Sequence, residues 1–182
     1  MNKELILKIK KYLELGVIVE DKSKRKLAEN YFKKARHNLL IAKFLKEGTN
    51  SSKVLALIGF QEDFYAYDWI VNASYYAMYM AAQSVLAAID IKCENHTATP
   101  YALEYYFAEK GKLEQEYVRL LKDQQGLIAE KDIEILQEGK EARLEAQYDV
   151  TKSMEKRTAL KIIGDADRFL ERLDILLEVI SK

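Results

Sequence analysis

His37, His96 and Cys93 are the residue types in this 182-residue chain that ligate soft metals or move protons near neutral pH. They stand far apart, and no CxxC or HExxH spacing joins them. That pattern gives no metal site. Glu62 and Asp63 are adjacent, and neither belongs to the Glu-x-x-His pair that a di-iron bundle needs. A glycine-rich phosphate loop and a GxSxG elbow are both missing. No cofactor is expected. The remaining polar candidates lie in an apolar setting. Asp68, Asn72, Tyr76, Tyr79 and Gln83 recur at steps of three and four, which puts them on one narrow stripe of a helix.

The element that positions this stripe is the stretch Phe64 to Asp90, FYAYDWIVNASYYAMYMAAQSVLAAID. Val54 to Ile91 contains no Lys or Arg, although these make up 29 of the 182 residues. A helix apolar over most of its girth is buried on several sides, so this is predicted to be the central helix of a bundle. Ala73, Ser74, Ala77, Ala81 and Ala82 allow its neighbours to approach closely. A membrane span is the rival reading, since Trp69 to Ile89 is uncharged and about 20 residues can cross a bilayer. Asn72, Ser74, Gln83, Ser84 and three tyrosines interrupt the run, and strong apolar residues are few. No membrane association is therefore expected.

The surrounding chain reads as helices. Leu5, Ile6, Ile9, Leu13 and Leu15 mark an amphipathic start over 2–15, with Gly16 as its stop. A second helix is predicted from Lys24 to Lys46, with Leu27, Ala28, Tyr31, Phe32, Ala35, Leu39, Ala42 and Phe44 facing inward. The central helix follows, with a turn near Gly59. Ile91 to Pro100 reads as a loop. Thr99 before Pro100 is disfavoured in the helical region, and Pro100 can open the next helix. Leu113 to Tyr148 is predicted mainly helical, with Gly126 and Gly139 able to kink or split it. Thr151 or Ser153 caps a last helix to Ile180, with Ala159, Ile162, Ile163, Ala166, Phe169, Leu170, Leu173, Leu176, Leu177 and Ile180 inside. No strand alternation is visible. The fold class is all-α, an up-and-down bundle of four or five main helices.

Bulk properties narrow the function. Apolar residues make up 49% and charged residues 32%, and the formal net charge is zero. This gives no support for a general nucleic-acid or membrane-surface role, which favours a basic excess. The lysines between Lys22 and Lys26 read as a solvated face or a local nucleic-acid contact. One cysteine forbids an intramolecular disulfide and suits a reducing cytoplasm. The charged N-terminal sequence is unlike a signal peptide.

The run ASYYAMYMAAQSVLAAIDIK, Ala73 to Lys92, followed by Asn95-His96-Thr97, resembles the HEPN domain. The later stretch Ala142 to Val150 is similar to the R-x-x-A-x-Y segment of an uncharacterised HEPN subfamily, and Ala166 to Leu170 to its closing helix. The resemblance spans about Lys24 to Ile180. It sets 1–23 apart as an N-terminal helical extension on a bundle of 24–182. It implies a homodimer with a cleft between protomers, and a small nucleotidyltransferase as partner in a toxin–antitoxin system. Active members are metal-independent ribonucleases that carry an Arg and, after four to six intervening residues, a His. His moves the proton and Arg binds the charge developing on phosphate.

Arg143 stands where the family arginine would, and after four residues, where the His belongs, stands Tyr148. A tyrosine, with an ordinary pKa of about 10, is a poor base at pH 7. Neither His37 nor His96 follows an Arg at the family spacing. The resemblance therefore points to a regulatory module that binds RNA, a nucleotide or a protein. Alternatives are a ribonuclease toxin using Arg143 with Tyr148 or another group, and a structural module whose apolar stripe binds a partner helix. In some HEPN toxins a tyrosine just after the His is adenylylated. The matching position here is Val150, and Tyr148 is the nearest tyrosine. Tyr75, Tyr76 and His96 are further ligand-binding candidates. Each has a plainer reading: Arg143 as a solvated or salt-bridged residue, Tyr148 as a packed ring, Tyr75 and Tyr76 as core, and His96 as a turn or capping residue. Tyr105 and Tyr106 read as core or interface.

Overall fold

The computed structural model describes residues 3–60, 65–93, 95–109, 130–149 and 154–180. The elements in order are α1 (Lys3–Glu14), β1 (Ile18–Glu20), a 3-10 turn (Lys22–Leu27), α2 (Ala28–Thr49), α3 (Ser52–Leu57), α4 (Tyr67–Ala88), β2 (Ile91–Cys93), α5 (Ala98–Leu103), a π-helical turn (Glu104–Glu109), α6 (Glu130–Tyr148) and α7 (Lys156–Ile180). The protein is an all-α bundle with one two-stranded ribbon. Gly111, Gly126, the predicted helix positions before 130, Thr151 and Ser153 lie outside the described residues.

The apolar stretch becomes α4, and α2, α6 and α7 pack around it. Val71, Ala77, Met78, Ala81, Ala82, Val85 and Leu86 are fully buried along its length. The small residues at 77, 81 and 82 allow this approach from several sides. In α7, Ala159 through Leu176 of the predicted inner face are buried, whereas Leu177 and Ile180 are half-buried against the core. In α1, Leu5 and Ile9 join the same core, while Leu13 near its end and Leu15 just beyond it are exposed beside the Gly16 stop, whose φ is +67°. Among the described residues no helix is long and apolar enough to cross a membrane.

Three local expectations are corrected. Phe44, predicted to face inward, is 72% exposed. The buried positions Ala28, Phe32, Ala35, Leu39 and Ala42 step by three and four, and Leu45, not Phe44, continues that face. The predicted loop after α4 starts with β2, which pairs antiparallel with β1 in the register Ile18↔Cys93, Val19↔Lys92 and Glu20↔Ile91. Strands of three residues are too short for alternation to register in a sequence. Asp90, at φ +64°, makes the turn into β2, and its carboxylate accepts from Arg25 Nη2 at 2.6 Å. Finally, Thr99 and Pro100 both lie inside α5 rather than before and at its start. The missing N–H of Pro100 falls in the first turn, where no intrahelical acceptor exists. The Thr99 hydroxyl donates to Asn95 O and accepts from Gln83 Nε2, both at 2.9 Å, which holds the pre-proline residue helical.

Gly139 does not split α6, which runs unbroken from 130 to 148. Glycine there costs about 1 kcal/mol of helix propensity relative to alanine. The reason for it is packing: a Cβ at 139 would collide with Met78 Cε and come within 3.5 Å of Tyr75 Cδ2. Gly164 in α7 differs, because a Cβ there meets only Arg168 Nη1 at 3.7 Å. Chemical denaturation should therefore show Gly164→Ala stabilised by roughly 0.5–1 kcal/mol. Gly139→Val should be destabilised by about 2–3 kcal/mol. A Gly139→Val protein as stable as wild type would contradict this packing.

Candidate functional site

The site is built on the middle of α4, the turn after β2 and one face of α6. Asn95 fixes the turn: its Oδ1 accepts from the backbone N–H of Thr97 at 3.0 Å and of Ala98 at 2.8 Å. This is the local side-chain cap that asparagine favours. It carries His96 against α4, where Nδ1 lies 2.7 Å from the Tyr75 hydroxyl. One turn along α4, the Tyr79 ring stacks on the imidazole with centroids 3.9 Å apart. Tyr76 presents its edge to the same ring at 5.7 Å. A helix places residues 75, 76 and 79 on adjoining faces, so one short segment supplies three rings around one histidine.

Electrostatics keeps this cluster neutral. Burial, then the neighbouring tyrosine Tyr79, pushes the Tyr75 hydroxyl far above its ordinary value, so it stays a phenol. Burial also raises Tyr79. The imidazole of His96 is shifted the other way, to below 6.5, chiefly by burial and further by the positive charges of Arg143 and Lys140. His96 is thus a neutral imidazole at pH 7. If Tyr75 donates to Nδ1, the ring proton sits on Nε2, and the other tautomer reverses those roles.

From the opposite side α6 brings two cations. Arg143 Nη2 donates to the Tyr76 hydroxyl at 3.2 Å, with its Cζ 5.6 Å from the Tyr76 ring centre and 5.8 Å from that of Tyr148. Lys140, three residues earlier on the same face, donates from Nζ to Thr97 Oγ1 at 3.1 Å. Among the described residues, the buried Nε of Arg143 has no hydrogen-bond partner. The Tyr76 bond uses one of the five N–H donors of a guanidinium. An anion entering here finds unspent, partly desolvated donors beside a neutral imidazole.

The two groups singled out from the sequence meet in one place. Tyr75, Tyr76 and His96 are joined to Arg143 through the Tyr76 hydroxyl. Tyr148 ends α6, is 66% exposed and contacts the Arg143 guanidinium through its ring. Sequence reasoning missed Lys140, placed Tyr79 only on the polar stripe of the central helix, and named Thr97 only within the turn that follows it. Lys140 could have been found by helical spacing, three residues before Arg143. Tyr106 is buried in the core beside Tyr105, and burial pushes its hydroxyl up to about 12. In the basic run, Lys24 and Arg25 are paired with Asp21 and Asp90. Among the described residues, no cluster of three or more His, Cys, Asp or Glu is placed to hold a metal ion.

No curated protein sequence matches this chain. The family model of the HEPN domain matches residues 25–176, from the 3-10 turn before α2 to within the last turns of α7, and so takes in every side chain of the site. The chain belongs to the HEPN domain family.

Proposed function

We propose that this HEPN domain is a binding and regulatory module whose site takes the phosphate of RNA or of a nucleotide, in a toxin–antitoxin-type system. The observation that carries the reading is the partly desolvated Arg143 guanidinium, with its unpartnered Nε, beside Lys140 and His96. Arginine offers a planar fork of donors that matches phosphate oxygens. The tyrosines on α4 add ring faces that suit unstacked bases. Binding of a labelled single-stranded RNA, measured by anisotropy at several salt concentrations, tests it. Affinity should fall as salt rises, as phosphate contacts require. A wild-type protein that binds neither RNA nor nucleotides at low salt would sink the reading.

A second reading, metal-independent RNA cleavage of the family's kind, is favoured by one specific observation. His96 reaches the site from another part of the chain and supplies the proton-transfer group absent at position 148. Neutral at pH 7, it could take the proton of an attacking hydroxyl while Arg143 holds the phosphate. Incubating the protein with total RNA in chelator distinguishes the readings: cleavage by wild type but not by Arg143→Ala selects catalysis.

The family resemblance also brings a homodimer and a nucleotidyltransferase partner into the proposal. Leu40 and Phe44 on α2, with Leu57 and Ile58 at the end of α3, leave large apolar side chains exposed. A second copy would cover such a face. Sedimentation should then give a dimer for wild type and a monomer for Phe44→Asp with unchanged helical content. A dimer that survives this substitution places the interface elsewhere.

A further inference from the structure

The family match begins at Arg25, so α1 and β1 precede it. Both nevertheless bear on the turn that carries His96, and they reach it from its two sides. Before the turn, β1 pairs with β2, whose last residue, Cys93, stands three positions ahead of His96. After the turn, α1 packs against α5, which starts two positions beyond His96. There Lys8 Nζ donates to the Tyr101 hydroxyl at 3.4 Å and lies 4.7 Å from the centre of its ring. Tyr12 sets its own ring against the same tyrosine, with centroids 6.2 Å apart. Leu5 and Ile9 of α1 and Ile18 of β1 are buried in the core and anchor the segment.

Side chains tie this ribbon to the turn. The Cys93 thiol donates to the carbonyl oxygen of Asn95 at 3.7 Å. Thr99 Oγ1, in α5, lies 3.4 Å from Cys93 Sγ and 2.9 Å from that same carbonyl. Asn95 is also the residue whose side chain caps the turn. Strand, cap and α5 therefore meet at three groups next to His96, and Ile18 stands opposite Cys93 in the register, buried with it. The two halves of the site differ in what holds them. Tyr75, Tyr76 and Tyr79 stand on a 22-residue helix, and Arg143 and Lys140 on one of 19 residues. His96 stands between a three-residue strand and a six-residue helix. Two short strands are marginal by themselves, and local opening starts where cooperative contacts are fewest.

We infer that α1 and β1 form a positioning strap for His96: paired with β2 and packed on α5, they hold the turn where the imidazole meets Tyr75 and Tyr79. When the ribbon opens, the imidazole leaves those rings while Arg143 keeps its place on α6. This rests on the site reading above and deepens it, because the strap governs the histidine half of the site and leaves the phosphate half alone. Ile18 is the positioning residue, since it carries the ribbon into the core opposite Cys93.

One cysteine and two histidines make the strap measurable in the full-length protein. The alkylation rate of buried Cys93 follows opening of the ribbon. A proton NMR titration follows the His96 ring, with exposed His37 as the internal reference. Tyr75, Tyr76 and Tyr79 enclose the wild-type His96 ring, and Arg143 and Lys140 add positive charge, so it titrates below 6.5. Ile18→Asn puts a polar group into an apolar site without adding a charge that would itself move a pKa. It should speed alkylation by about tenfold or more. His96 should shift to about 6.5, with helical content and RNA affinity close to wild type. Faster alkylation with an unmoved His96 would overturn the strap and leave the site standing. A wild-type His96 that titrates together with His37 would overturn the enclosed site and the strap with it. Ile18→Cys keeps the test decisive if the asparagine variant does not fold. Residues opposite each other in an antiparallel pair have Cα atoms about 4.5–5.5 Å apart, which a disulfide spans, so oxidation joins position 18 to Cys93. In urea below the unfolding transition, the oxidised form should hold His96 at its wild-type pKa while the reduced form drifts toward 6.5. Equal drift in both forms would overturn the inference.

Discussion

Arg143→Ala is expected to weaken RNA binding by about 10- to 100-fold and to flatten its salt dependence by roughly one phosphate contact. It should also abolish any RNA cleavage. Among the described residues Arg143 is the one guanidinium in the cluster, and its buried Nε has no hydrogen-bond partner there. Its loss removes a hydrogen bond to Tyr76, which is half-buried at the edge of the core, and contacts to the Tyr76 ring and the exposed Tyr148 ring, and it opens no hole among the fully buried residues of α4. Helical content and the unfolding midpoint should therefore stay close to wild type. Arg143→Lys sharpens the test. A lysine keeps the charge but presents a point ammonium in place of the planar fork, so partial recovery is expected, not full recovery. Full activity in the alanine variant, with the fold intact, would remove Arg143 from the site and with it the proposed phosphate contact.

The parts of this architecture that were legible in the sequence are those written over many residues. The central helix announces itself because 38 residues pass without a basic side chain, and the inner face of α7 because its apolar positions repeat for about six turns. What was not legible depends on single contacts. Phe44 has the composition of a core residue, and only the exact phase of the 28-32-35-39-42 series excludes it. The ribbon of β1 and β2 is three residues per strand, and it exists because Asp90 turns the chain and Arg25 holds its carboxylate. Pro100 and Thr99 fail as boundary markers because Gln83, a buried residue on another helix, accepts the burden of bonding the threonine.

The site divides in the same way. Arg143, Tyr148, Tyr75, Tyr76 and His96 were each visible as residue types, but a search along the chain for a histidine after Arg143 could only find Tyr148. The histidine that faces Arg143 lies 47 positions earlier, and α4 packed against α6 brings the two together. Local spacing encodes neighbours on one helix, and therefore Lys140 with Arg143 or Tyr75 with Tyr79. It does not encode which turn closes over which helix. Gly139 is an intermediate case. As a helix-interior glycine it reads as a break, and only the position of Met78 shows that it is there to let α6 approach the Tyr75 face.

His96 carries the second large effect. If the site cleaves RNA, His96→Gln should slow cleavage by about 100-fold or more, the usual contribution of a positioned proton-transfer group. It should spare most RNA binding, because Arg143 and Lys140 remain. Binding lost as severely as in Arg143→Ala would show His96 to be a positioning group for ligand and not a proton carrier. The same residue predicts a pH effect on stability that does not depend on any reaction. The folded protein lowers the His96 pKa below 6.5, through burial first and then the cations of α6, so folding favours the neutral ring. The sign follows from linkage. Above about 6.5 both folded and unfolded states hold the ring neutral, and the contribution is fully present. As pH falls below 6.5 the unfolded state binds the proton first, and stability drops until the folded-state pKa is passed. Urea denaturation at pH 7.5 and pH 5.5 should therefore show wild type losing more stability over that interval than His96→Gln. Equal losses would mean that His96 is solvated in the folded protein, and a solvated imidazole could not form the tyrosine-enclosed, cation-flanked site on which both the binding and the cleavage readings depend.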